Sequence, residues 1–335
     1  MFIPDAIFFE PKSYEYELGK RLLDNYKKQN IPMIEIENHN NIEQMRKKQN
    51  KEFPYMKRNL VIATRKTHKY VPNHKVSDFL VPYTSSGCIA MCMYCYLVCN
   101  YNKCAYLRLF VNREQMLDKI IKTCNESEKE LVLEIGSNSD LVLENTITGN
   151  LEWTIKKFIE KTEKGYLTFP TKFGMVDSIL NINHGGRVII RVSVNPQEII
   201  NKIEIGTSPL KNRVEAINKL KEADYKVGIL IAPIVLVENW KEQYEELIRY
   251  LADNLSEKVK NDVFFELIFM TYSYIHNAIN TEAFPNNPVL YDKDKMTGRG
   301  RGKYTYKKEV RQEAEEYIRM LMKKYFPNNE IKYIV

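Results

Sequence analysis

From the middle of the chain onward, short apolar runs alternate with amphipathic stretches. Residues 131–135, 166–169, 188–194, 227–231 and 264–269 are continuous, largely β-branched or aromatic runs. Runs of this length and kind predict strands covered on both faces. Helical spacing separates them, over 114–124, 151–163, 210–223 and 240–251, with a shorter helix around 177–182. Strand followed by helix, repeated, predicts a parallel sheet, either open or curled into a barrel. A first strand near 79–83 brings the number of βα units to about six, which favours a partial (β/α)6 barrel in an α/β fold. Residues 1–75 are mixed and predict an N-terminal extension packed on the barrel, which itself occupies 76–270. Residues 271–335 form a third region. Its segment 286–308 is rich in turn residues and basic, and a final helix is predicted over 309–325.

Composition narrows the class. The chain has 335 residues, 44% of them hydrophobic, enough for one large core or two ordinary ones. Glycine and proline, at 13 each, are too few for a collagen-like or disordered chain. No basic region followed by an apolar stretch opens the sequence, and no apolar run approaches the roughly 18 residues of a membrane span. The expectation is a cytoplasmic protein with no membrane partner. The net charge of +7 permits a polyanionic partner without demanding one.

Candidate chemistry enters with cysteine. Of six cysteines, five fall between positions 88 and 104: Cys88, Cys92, Cys95, Cys99 and Cys104. Disulfides do not suit a cytosolic chain of this size. A zinc site is open to four thiolates, although zinc cysteines usually come as separated pairs. The third reading is an iron–sulfur cluster. Cys88-x3-Cys92-x2-Cys95 follows a predicted strand, with Gly87 before it and Tyr94 just ahead of the last cysteine. This is the radical S-adenosylmethionine (SAM) signature. Three thiolates on a [4Fe-4S] cluster leave one iron for the amino and carboxylate groups of SAM.

The surrounding blocks resemble the spore photoproduct lyase family nearly end to end. They include Phe9-Glu10-Pro11, residues 16–20, Thr64-Arg65-Lys66-Thr67, residues 87–97, Thr171-Lys172-Phe173 and His184-Gly185-Gly186-Arg187. Residues 206–210, Ala232-Pro233-Ile234, residues 265–268 and Gly302-Lys303-Tyr304 continue the likeness. The resemblance implies a half-barrel with the cluster and SAM at its open mouth, and SAM contacts at Ser139, Lys172, Ser193 and Ala232. It implies repair of the spore photoproduct in UV-damaged double-stranded DNA: a deoxyadenosyl radical removes a hydrogen, the inter-thymine carbon–carbon bond breaks, and hydrogen return regenerates SAM. Tyr94 and Tyr96 match the family's tyrosine relay. A one-electron donor such as flavodoxin or ferredoxin is the second implied partner.

The sequence departs from the family at one reactive position. Where better-known members carry Cys-Thr-Ser-Asp, with cysteine as hydrogen donor, this chain reads Ser137-Asn138-Ser139-Asp140. A serine O–H bond is far stronger than a thiol S–H, so Cys99 and Cys104 become the candidate donors. Their plain alternative is a pair of buried cysteines packing as small hydrophobes. In the stretch matching the family's carboxy-terminal hairpin, Arg299, Arg301, Lys303 and Tyr304 are the expected DNA contacts, cations for phosphate and an aromatic to stack. The family's Arg-Tyr pair near the tip is Gly298-Arg299 here. Two alternatives stand beside the lyase: a diverged radical SAM enzyme with another substrate, and a metal-stabilised DNA-binding protein without catalysis.

Overall fold

A computed structural model describes residues 2–100 and 105–335, apart from the side chain of Asn100. Six parallel strands form its centre: Phe79–Leu80, Val132–Glu134, Tyr166–Thr171, Val188–Val194, Lys226–Ile234 and Phe264–Phe269, hydrogen-bonded in that order. Ile331–Ile334 extends the far edge in parallel, and Val71–Pro72 closes the near edge antiparallel. The sheet curls into a half-barrel, the α/β architecture expected from the strand–helix repeat. Its strands are apolar on both faces because helices such as Asn150–Lys161, Leu210–Glu222 and Trp240–Asn254 cover the outside while side chains fill the inside.

Charge is admitted to the barrel interior only where it is paired. Arg191 donates to Glu134 (2.6 Å), Glu266 (3.1 Å) and the hydroxyl of Thr168 (3.0 Å), which ties four strands together. Isolated, each of these groups would carry a large desolvation cost.

The observed elements match the expected ones to within a few residues at their ends, some longer and some, such as Val132–Glu134 and Phe79–Leu80, shorter. The strand expected over 227–231 runs Lys226–Ile234, and the last helix covers Lys308–Tyr325. Near Asp177 only a 3-10 turn forms, Asp177–Ile179. The mixed first region holds a second sheet, ordered Met33–Glu35, Ala6–Phe9, Asn59–Ala63, Leu107–Phe110 and Ser85–Ser86. It takes two strands from beyond residue 75, so the chain weaves between the sheets on either side of the cysteine loop. A third, small sheet joins Tyr272–Ser273 to the hairpin Met296–Gly300 and Lys303–Tyr306. No helix among the described residues is long and apolar enough to cross a membrane.

Candidate active site

The loop carrying the cysteines is positioned by its backbone. Gly87 has φ +77°, and a Cβ there would lie 1.9 Å from the Tyr106 carbonyl oxygen, so only glycine fits. Its N–H donates to the Asn138 carbonyl (2.8 Å), while Met91 and Met93 donate to Ile205 (2.8 Å) and Ile203 (3.0 Å). From the other side, the amide of Asn280 donates to the Met93 carbonyl (2.7 Å). The loop is thus fastened to the ends of two barrel segments and to the helix Tyr274–Ala283.

Cys88, Cys92 and Cys95 are free, partly buried thiols on this loop. Burial pushes Cys88 up to about 12 and raises Cys92 further, and the charge of Cys95 adds to both. Among the described residues no three ligand side chains converge on a single-ion site. Three cysteines on one loop, two of them (Cys88 and Cys92) costly to ionise without a metal, suit instead an iron cluster that would replace their protons. The backbone N–H of Ala90 donates to the Cys88 sulfur (3.4 Å).

Beside the loop, at the C-terminal ends of the barrel strands, lies a polar constellation. Lys172 directly follows the strand Tyr166–Thr171. Its ammonium donates to the Ser193 hydroxyl (2.8 Å), the Ala232 carbonyl (2.7 Å) and Glu204 (2.9 Å). Ser193 in turn donates to Ala232 (2.8 Å). Three of the four expected SAM contacts therefore form one hydrogen-bonded group. Ser139 stands apart, donating to the Gly87 carbonyl (2.8 Å) just ahead of the first cysteine. Its neighbour Asp140 bridges to the group by accepting from the Lys172 backbone N–H (2.8 Å).

Glu204 is the centre of this arrangement and was missed in the sequence. Fully buried, it accepts from Lys172, from Asn195 (2.8 Å), from Arg213 (2.7 Å) and from the Tyr94 phenol. Burial alone would raise its carboxyl, but Lys172 and Arg213 overcome that and hold it far below the usual carboxylate range. The available signal was an acid between two isoleucines, Ile203-Glu204-Ile205, a position that apolar packing alone would not tolerate. The charges of Glu204 and Lys172 both reach the Cys92 thiol, so the cysteine loop and the constellation share one site.

The two tyrosines face different ways. Tyr94 points inward to Glu204, and burial followed by the Glu204 charge raises its phenol well above its ordinary range. Tyr96 is 51% exposed and donates to the carbonyl of Ser137, at the family's donor position. It lines a cavity of about 690 Å³ together with Cys99, Ser273, His276, Arg299, Arg301 and Lys303. The hairpin therefore overhangs the cavity with its cations. Its turn passes through Arg301 at φ +51° and Gly302 at φ +67°, where a Cβ on Gly302 would strike the Tyr274 ring at 2.2 Å. Tyr304 is half-buried against Tyr291, ring centres 4.6 Å apart, at the base of the hairpin. Cys104 lies outside the described residues.

A half-barrel that carries a Cys-x3-Cys-x2-Cys loop beside a polar group at the C-terminal ends of its strands defines a radical SAM enzyme. The family model for spore photoproduct lyase matches residues 2–335. Spore photoproduct lyase of Bacillus subtilis is 32% identical, over 99% of this chain and 98% of its own. That of a Geobacillus strain is 30% identical over the same shares. A solved spore photoproduct lyase variant with bound AdoMet and dinucleoside spore photoproduct superposes with a TM-score of 0.91, at 30% identity, covering 100% of this chain and 99% of that one. The chain belongs to the spore photoproduct lyase family.

Proposed function

We propose that this protein repairs the spore photoproduct, 5-thyminyl-5,6-dihydrothymine, in DNA by SAM-dependent radical cleavage of the bond between the two thymines. The observation that carries the reading is the junction of two half-sites. The Lys172–Ser193–Ala232 group reaches the cysteine loop on one side, and the loop's Tyr96 opens into the hairpin cavity on the other.

In this reading Cys88, Cys92 and Cys95 hold the [4Fe-4S] cluster, while Ser139, Lys172, Ser193 and Ala232 hold SAM. When bound, the pair supplies one-electron chemistry: a carbon radical that takes a hydrogen atom from the lesion. The protein's own residues position and protect. Glu204 directs the Lys172 ammonium, and the cavity beneath the hairpin limits side reactions of radicals with solvent. Arg299, Arg301 and Lys303 take the phosphates flanking an extruded lesion, and Tyr304 supports the hairpin from within. An action on chromosomal DNA places the work in the cytoplasm, with flavodoxin or ferredoxin as the class of electron donor.

Hydrogen return falls to Cys99, with Cys104 as the second candidate. The Cys99 sulfur lies 3.2 Å from the Ser273 hydroxyl and 3.6 Å from His276 Nε2. Nε2 also faces the Cys95 carbonyl (3.0 Å), which can only accept, so Nε2 carries the ring proton. Nδ1 is then the acceptor and takes the Ser273 O–H (3.1 Å). The Ser273 oxygen is left to receive the Cys99 S–H. A new C–H bond forms on the thymine radical as this S–H breaks. The thiyl radical on Cys99 takes its hydrogen back from the Tyr96 phenol, and with the cofactor bound Tyr96 and Tyr94 would pass the radical on to deoxyadenosine, the phenol O–H re-forming as a deoxyadenosine C–H breaks.

Anaerobic incubation of the iron-loaded enzyme with dithionite, SAM and photoproduct-containing DNA tests the reading. Thymine is expected, with SAM conserved over many turnovers. Failure to form thymine, with SAM lost irreversibly to deoxyadenosine, would favour a diverged radical SAM enzyme with another substrate. The serine at position 137 is the observation that keeps that second reading alive. Cys99→Ala and Cys104→Ala assign the donor; unchanged clean turnover in both would refute it.

A further inference from the structure

Lys57 ends the short helix Phe53–Lys57 and is 2% exposed. Its ammonium donates to the carbonyls of Cys88 (2.8 Å) and Ala105 (2.8 Å) and lies 5.4 Å from the centre of the Phe53 ring. These are its contacts among the described residues, and none is a carboxylate. A buried ammonium without a counter-ion is normally avoided, because carbonyl dipoles replace only part of its hydration. The deeply buried barrel cations Arg191 and Arg213 do have acids beside them: Glu134 and Glu266 for Arg191, and Glu204 for Arg213.

The missing partner is supplied by what the cysteine loop is built to hold. We infer that Lys57 is the counter-charge of the iron–sulfur site and raises the reduction potential of the cluster held by Cys88, Cys92 and Cys95. This rests on the reading that those three thiols bind the iron. Three thiolates outweigh the charge of the oxidised cluster core, and one-electron reduction adds a further negative charge. A fixed cation beside the loop favours the more negative state, and a buried position lets it act with little screening. Lys57 is a positioning and electrostatic residue, since it touches backbone and not the reacting atoms. The competing role, a tie between two loop carbonyls, needs only a hydrogen-bond donor.

Redox titration of the reconstituted full-length protein, without SAM or DNA and followed by the electron paramagnetic resonance signal of the reduced cluster, separates the two roles. Lys57→Gln keeps a donor and loses the charge, Lys57→Met loses both, and Lys57→Arg keeps the charge. At a fixed potential, the Gln and Met variants are expected to hold about tenfold less reduced cluster. For a one-electron couple that is a midpoint about 59 mV lower. Lys57→Arg should stay within about threefold of the parent. Midpoints of Lys57→Gln and Lys57→Met equal to the parent's, at full iron content, would overturn the inference. Iron loss in the Gln variant with retention in the Arg variant would support it, the charge then acting on cluster retention. Loss in all three would overturn it in favour of packing. A parent protein that binds no iron would overturn the cluster reading itself, and the inference with it.

Discussion

The ammonium of Lys172, partly exposed, sits 2.9 Å from the fully buried carboxylate of Glu204, and this pair links the site to the barrel. Glu204 also neutralises Arg213 (2.7 Å), so one carboxylate serves two cations. Glu204→Gln leaves both partly unpaired, and breaking a buried pair of this kind costs about 3–5 kcal/mol. Urea unfolding should show that loss, and calorimetric titration should show weakened SAM binding. Arg213→Met should reproduce the instability with a smaller effect on SAM, because Lys172 keeps its carboxylate.

The two tyrosines should respond differently to loss of one oxygen. Tyr94→Phe removes a donor to Glu204 and is expected to weaken SAM binding by about tenfold or more, the scale of one charge-assisted hydrogen bond of about 1.5–3 kcal/mol. Tyr96→Phe leaves that group intact, so SAM should bind as in the parent while the number of repairs per SAM falls. Equal SAM affinities with equal turnover per SAM in both variants would refute the separation.

DNA affinity should depend on salt through the hairpin. Replacing Arg299, Arg301 and Lys303 together with glutamine removes three exposed cations overhanging the cavity. If each neutralises a phosphate, the slope of log K against log salt falls by about 0.9 per residue, measured by fluorescence anisotropy with duplex DNA. An unchanged slope would remove the hairpin from the DNA interface.

The second sheet carries a pH-sensitive tie. Burial would raise the Glu10 carboxyl, but hydrogen bonds from the side chain and backbone of His39 and the backbone of Thr64 hold it at about 2. Because the folded value is depressed, the stabilisation is complete above the ordinary glutamate value of about 4.5. It is lost as pH falls through about 2. Acid titration of stability should therefore show a loss between those limits that Glu10→Gln abolishes.

The sequence by itself determined whatever depends on neighbours along the chain. Continuous apolar runs predict the barrel strands because a strand covered on both faces has no polar side to display. The cysteine triad was legible because its three residues lie on one loop, where spacing alone sets their separation. Lys172, Ser193 and Ala232 were singled out by the family resemblance and not by local pattern, which marks the ends of strands but not which residue there carries a role. Tertiary structure decided the partnerships. Glu204 meets Tyr94 across 110 residues, and His276 meets Cys99 across 177. Lys57 meets the Cys88 carbonyl across 31 residues. The strands Ala6–Phe9 and Leu107–Phe110 were missed for the same reason. Their short apolar runs carry no periodic signal until distant strands flank them. Local pattern encodes which face of an element is dry, whereas the partner that meets a buried charge is chosen by how the elements cross.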